Sequence, residues 1–176
     1  MTMLIAGIGN VFLGDDGFGV EVARRLADSQ TAGLLPDGVD VADYGIRGVH
    51  LAYELLDDQY DTLVLVDAVP LGEEPGTVAL LDATDRADAV GAGPVDAHSM
   101  SPDVVLRSLK HLGGHVDRVL VVGCQPAVVE ERMGLSEPVA GAVDLAHDMV
   151  LDVAFRRTQR AAASRAVTLS GGESSR

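Results

Sequence analysis

Apolar positions along the chain follow two patterns: short continuous runs bounded by turn residues, and longer stretches repeating every three to four positions. Met3–Ile8 is such a run; it meets Gly7, Gly9 and Asn10 and predicts a first strand entering a tight loop. From Gly17 onward Phe18, Val20, Val22, Ala23, Leu26 and Ala27 are apolar at helical spacing, with Arg24, Arg25 and Asp28 on the other face. Val39–Ala42, placed after Pro36–Gly38, predicts a short second strand. Gly48–Asp57 predicts a second helix through Val49, Leu51, Ala52, Leu55 and Leu56. Thr62–Val66 is nearly continuous in β-branched and aliphatic residues, as expected of a parallel strand covered on both faces, and it stops at Asp67.

The second half of the chain continues the alternation. Beyond the Pro75–Gly76 turn signal, Thr77–Leu81 predicts a strand that returns antiparallel at the sheet edge. Residues 82–97 are small, polar and glycine-bearing and predict a surface excursion. Ser101, Pro102 and Asp103 then read as an N-cap, a first-turn proline and an acid at the positive helix end, opening a helix to about Leu112. Arg118–Cys124 is the last core strand, and Ser136 with Pro138 opens a final helix reaching about Arg157. Strands alternating with helices predict a three-layer α/β/α sandwich, a mostly parallel sheet with one antiparallel edge strand. Residues 1–159 form its single domain and 160–176 a flexible Ala/Ser/Gly/Arg tail. Ligands of such sheets sit beyond the carboxyl ends of the strands, so chemistry is expected there.

Composition narrows the picture. With 176 residues, 47% of them hydrophobic but only 3% aromatic, the chain can bury one aliphatic core. The net charge of −14 gives a surface that repels phosphate backbones and anionic headgroups, which argues against nucleic-acid and membrane partners. Residues 156–176 hold five arginines and one glutamate, so the body is more acidic than the total and suited to a cation or a basic peptide. The single Cys124 cannot form an internal disulfide, no signal-type segment is visible, and no uncharged apolar run approaches the roughly 18 residues of a membrane span. A cytoplasmic location is expected.

Three segments at strand ends carry candidate chemistry. The loop of residues 7–19, GIGNVFLGDDGFG, joins a strand to a helix, yet Phe12 stands where a dinucleotide-binding turn needs its third glycine. Asp15 and Asp16 would repel a pyrophosphate at that helix end. Asp15 is expected to cap the helix, which releases Asp16 for another role. Asp67 ends the Leu63–Val66 run; alone it can organise the following turn, but two carboxylates brought close need a cation or a proton to coexist. His98, in the small-residue stretch Asp96–Pro102, would add a nitrogen donor. His50, His111, His115 and His147 fall in or at the ends of predicted helices. Two carboxylates and one imidazole suit zinc, nickel or another divalent ion and leave coordination positions open. Cys124 reads as a small core residue, and neither a GxSxG elbow nor a GxxxxGK[ST] loop is present.

These segments, GIGNVFLGDDGFGVEVARRL at 7–26, LVLVDAV at 63–69 and AHSMSPDVVL at 97–106, resemble in order and separation the [NiFe]-hydrogenase maturation endopeptidase family. GCQPAVVEERMGLSEPV at 123–139 is similar to that family's last strand and entry to its final helix, so the resemblance spans about residues 3–155. It implies a twisted five-stranded sheet flanked by helices, and a metal site whose roles fall on Asp16, Asp67 and His98. It further implies an enzyme that removes a C-terminal peptide from a hydrogenase large-subunit precursor after nickel insertion, with the nickel arriving in the substrate. Another divalent metal in the resting protein is compatible with the same ligands.

The chain departs from the family's pattern at two places. Asp16 stands where several members carry glutamate, and Asp43-Tyr-Gly-Ile-Arg-Gly48 stands where many have a DGGTxG turn, keeping Asp43, Gly45 and Gly48 without the threonine. Two other readings compete: a nickel carrier or checkpoint protein that docks on the large subunit without cutting it, and a small-molecule or nucleotide-binding enzyme on a doubly wound sheet.

Overall fold

The computed structural model describes residues 2–57, 59–85 and 101–170, with the backbone alone for 161–170. Its strands are β1 (Met3–Ile8), β2 (Val39–Gly45), β3 (Thr62–Ala68), β4 (Val78–Asp82) and β5 (Arg118–Cys124), and its longer helices α1 (Phe18–Thr31), α2 (Gly48–Glu54), α3 (Pro102–His111) and α4 (Glu137–Ser170). The five strands form one sheet in the order β2-β1-β3-β5-β4, parallel except where β4 runs against β5. The parallel pairs bring Gly7 opposite Val66 and Asp67 opposite Gly123, so the loops after β1, β3 and β5 emerge together at one edge.

Alternation along the central strands builds two cores. Met3, Ile5, Val64, Val66, Leu120, Val122 and Cys124 face one side, where Phe18, Val22 and Leu26 of α1 meet Val139, Val143, Ala146 and Val150 of α4. Leu4, Ala6, Ile8, Leu63, Leu65, Val119 and Val121 face the other, under Leu51 and Ala52 of α2 and Val105, Leu106 and Leu109 of α3. Strands covered on both faces lose the polar alternation of half-exposed ones, which is why β1, β3 and β5 read as continuous apolar runs. The α/β/α sandwich and the antiparallel edge strand agree with the sequence-based expectation.

Differences sit at element ends. β2 extends to Gly45 and β3 to Ala68, so Asp67 lies within the last strand residues and not just past them. Ser101 occupies the position before α3 with an extended backbone, but its hydroxyl makes no capping bond; its carbonyl accepts from the Val104 and Val105 N–H groups. The final helix continues to Ser170, beyond the expected end near Arg157, because residues 158–170 contain no glycine or proline and many good helix formers. Of the expected 82–97 excursion, residues 86–97 lie outside the described residues.

Candidate active site

The β1–α1 connection is built for close approach. Gly9 adopts φ 130°, and a Cβ there would lie 1.8 Å from the Asp16 carbonyl oxygen, so only glycine lets the chain fold back over its own turn. Gly19, in the first turn of α1, lies against the sheet edge; a Cβ would sit 2.0 Å from the Val66 carbonyl oxygen and 2.4 Å from that of Ile8. These two contacts hold the short 3-10 turn Gly14–Gly17, and the acids within it, against the carboxyl end of β3.

Asp16 is half-buried in that turn, and its Oδ2 accepts a 2.7 Å hydrogen bond from the Asn10 N–H. The Asn10 side chain in turn accepts from the Phe12 N–H at 3.0 Å, which closes the loop on itself. Asp67 is 1% exposed. By alternation it follows Leu63 and Leu65 onto the side of the sheet covered by α2 and α3. Its Oδ1 is buried and has no hydrogen-bond partner among the described residues.

Burial, and then the negative charge of Asp16, hold the Asp67 carboxyl well above the usual carboxylate range against the Ala68 N–H that favours ionisation. Asp16 is also pushed up, by burial, against the Asn10 N–H. Two acids that are both pushed up, one of them partly by the other's charge, hold a proton readily, and they gain most from a cation that replaces it. An unpartnered buried carboxylate oxygen beside a second carboxylate is a fitting donor pair for a divalent ion. Among the described residues no group of three metal-ligating side chains forms. His98 falls in 86–100, outside the described residues. The other four histidines stand apart from the pair: His50 and His111 are exposed on α2 and α3, His115 is exposed ahead of β5, and His147 of α4 bonds Ser29 of α1 at 2.9 Å.

Asp15 corrects the sequence reading. No side-chain bond caps either the turn or α1. Its fully buried carboxylate reaches instead across to the loop after β5, accepting from the Ala127 and Val128 N–H groups at 2.8 Å each and from the Ser136 N–H at 2.6 Å. The Ser136 hydroxyl donates to it as well, at 2.9 Å. Burial alone would raise the Asp15 carboxyl, but these bonds outweigh it and hold the group below its ordinary value. The partners are more than a hundred positions away, so local capping logic could not reveal them. Gln125 is a second clamp that no motif signals: its Oε1 accepts from the Leu71 and Gly72 N–H groups, tying the β3–β4 loop to the end of β5. Cys124 is buried in the core, and burial followed by the Asp15 charge pushes its thiol up to about 11, which suits a packing residue and not an activated nucleophile.

A family model described as hydrogenase maturation protease (HycI) matches residues 20–153, a span that includes Asp67 and begins just after Asp16. The hydrogenase expression/formation protein HupD of Rhizobium leguminosarum is 31% identical over 152 residues, covering 86% of this chain and 73% of that protein. Among solved structures, the hydrogenase maturating endopeptidase HybD of Escherichia coli superposes with a TM-score of 0.69 at 25% identity, over 90% of this chain and 94% of its own. A hydrogenase 2 maturation peptidase from a Thaumarchaeota archaeon gives a TM-score of 0.63 at 31% identity, over 87% of this chain and 97% of its own.

Proposed function

The chain belongs to the hydrogenase maturation protease family, and from that premise we propose that it removes the C-terminal peptide of a nickel-loaded [NiFe]-hydrogenase large-subunit precursor, meeting the precursor's nickel with Asp16, Asp67 and His98. The observation that carries this reading is the pairing of Asp16 with a buried Asp67 whose Oδ1 has no partner among the described residues. Left alone, the pair is poorly satisfied; a divalent ion brought in by the substrate relieves both carboxylates at once.

The residues divide the work by environment. Asp67, dry and fixed by the strand, supplies a rigid oxygen donor. Asp16, on the turn and half-exposed, supplies one that faces the incoming polypeptide. His98, three residues ahead of Ser101 in the chain, supplies the nitrogen donor. The cation contributes Lewis-acid polarisation of the scissile carbonyl and activation of water. Because the carboxylates hold a proton when no cation is present, the site discriminates a loaded precursor from an empty one by charge and not by peptide sequence alone.

Incubating the purified protein with nickel-loaded precursor and following mass by spectrometry tests the proposal. Release of a short C-terminal peptide is expected. Asp16→Asn and His98→Ala each reduce the rate by at least about a hundredfold, and metal-free precursor stays intact. Equal cleavage of metal-free precursor would overturn the reading, and a stable complex with unchanged precursor mass would replace it with a non-cleaving checkpoint.

A further inference from the structure

The loops that frame the acid pair also carry three large apolar side chains open to solvent: Phe12 at 65% exposure, Val129 at 54% and Met133 at 68%. They are not scattered. The Arg132 N–H donates to the Phe12 carbonyl at 3.0 Å, the Gly14 N–H to the Arg132 carbonyl at 2.9 Å, and the Asp15 N–H to the Val128 carbonyl at 2.9 Å. With the four bonds to the Asp15 carboxylate, these stitch the β1–α1 loop and the β5–α4 loop into one rim. A groove of about 170 Å³ opens at the Met133 end of this rim, lined by Val11, Gly14, Gly17, Glu21, Arg24 and Met133 among others, and its two glycines Gly14 and Gly17 bracket the turn that holds Asp16.

Clustered exposed apolar residues on a rigidly bonded rim beside a reactive centre mark a surface that something covers. The charge around them selects the occupant. Glu130, Glu131 and Arg132 are exposed between Val129 and Met133, and Glu21 and Arg24 line the groove. Arg24 is drawn to Asp43 at 3.8 Å and Glu21 to Arg25 at 3.8 Å, so these two pairs are balanced within themselves. On the rim itself Glu130 and Glu131 outnumber Arg132, which gives an apolar surface with a net acidic border, complementary to an apolar segment flanked by basic residues.

We infer that the Phe12–Val129–Met133 rim is the docking surface for the precursor polypeptide, seating a large apolar side chain while basic residues beside it face Glu130 and Glu131. This rests on the proteolytic reading and specifies how the substrate is held. The rim sets affinity for the polypeptide and the acid pair acts on it, so the two separate kinetically.

Two measurements on wild type, Phe12→Ser, Met133→Ser and the double variant Glu130→Lys/Glu131→Lys test it: titration calorimetry with nickel-loaded precursor, and steady-state cleavage. All three changes are at exposed positions, and melting temperatures equal to wild type verify that folding is intact. The inference expects each serine variant to weaken precursor binding and raise KM about tenfold with kcat within about twofold of wild type. The charge-reversed variant raises KM similarly, and its KM no longer rises with added salt. Wild-type affinity in the two serine variants would overturn the docking surface even if cleavage proceeds normally. Weakened binding by the variants with no cleavage by wild type would retain the surface and overturn the proteolytic reading instead. Failure of wild type to bind the precursor at all would overturn both.

Discussion

Asp15 and Asp16 are neighbours with opposite electrostatic fates, and the difference is entirely one of partners. Asp15 is surrounded by four donors and lies below its ordinary pKa, so it supports the fold above about pH 3.8, and that support is lost as pH falls through the depressed value. Asp67 runs the other way. Its raised folded-state pKa means its contribution is fully present below 3.8 and lost as pH rises through the raised value. Asp67→Asn should therefore stabilise the protein near neutral pH, since the amide is neutral in both folded and unfolded states and escapes the cost of keeping a buried carboxyl protonated. Thermal melts at pH 7.5 are expected to show a gain of roughly 2–4 °C, corresponding to about 1 kcal/mol, with cleavage abolished. Repeating the melts toward pH 4 should shrink the gain toward zero; a constant gain would contradict the assignment of a proton to Asp67.

At the scale of elements, glycine contacts set where the acids sit. α1 is seated so closely on β1 and β3 that Gly19 has carbonyl oxygens of both Val66 and Ile8 where a Cβ would be. Neither obstacle is a flexible side-chain end. Gly19→Ala must push α1, and with it the Gly14–Gly17 turn, away from β3. We expect a loss of about 3 kcal/mol in urea denaturation, together with a drop in kcat larger than any change in KM, because Asp16 moves relative to Asp67. A variant with wild-type stability would show that the helix is free to slide, contrary to the packing described.

Across the whole molecule, the site lies at one edge of the sheet and the long helix α4 links that edge to the other. Ser136, directly ahead of α4, is bonded to Asp15 at the site edge. Twenty-one residues on, Arg157 pairs with Asp61, just before β3 at the opposite edge, at 2.9 Å. Among the described side chains, Ala154 is the last of α4 in the core. A chain ending at Arg160 is therefore expected to melt within about 2 °C of the full chain and to cleave precursor at an unchanged rate, which scanning calorimetry and the cleavage assay measure together. Among the described residues, no helix is long and apolar enough to cross a membrane.

The order and type of the elements were legible in the amino-acid pattern, because strand and helix periods and the Gly/Pro punctuation between them are local properties. β5 and the start of α1 fall where periodicity put them, and the GIGNVFLGDDGFG loop was readable as a strand-to-helix turn with acids in place of a phosphate site. What Asp15 does was not legible: its donors belong to a loop 112 to 121 positions away, and an acidic residue near a helix start carries the same local signal whether it caps that helix or clamps another loop. The closeness of Asp16 to Asp67 and the gathering of Phe12, Val129 and Met133 on one rim were decided in the same way. Parallel pairing of β1, β3 and β5 delivers their loops to one edge, and that registry of distant segments exists only once the sheet has formed.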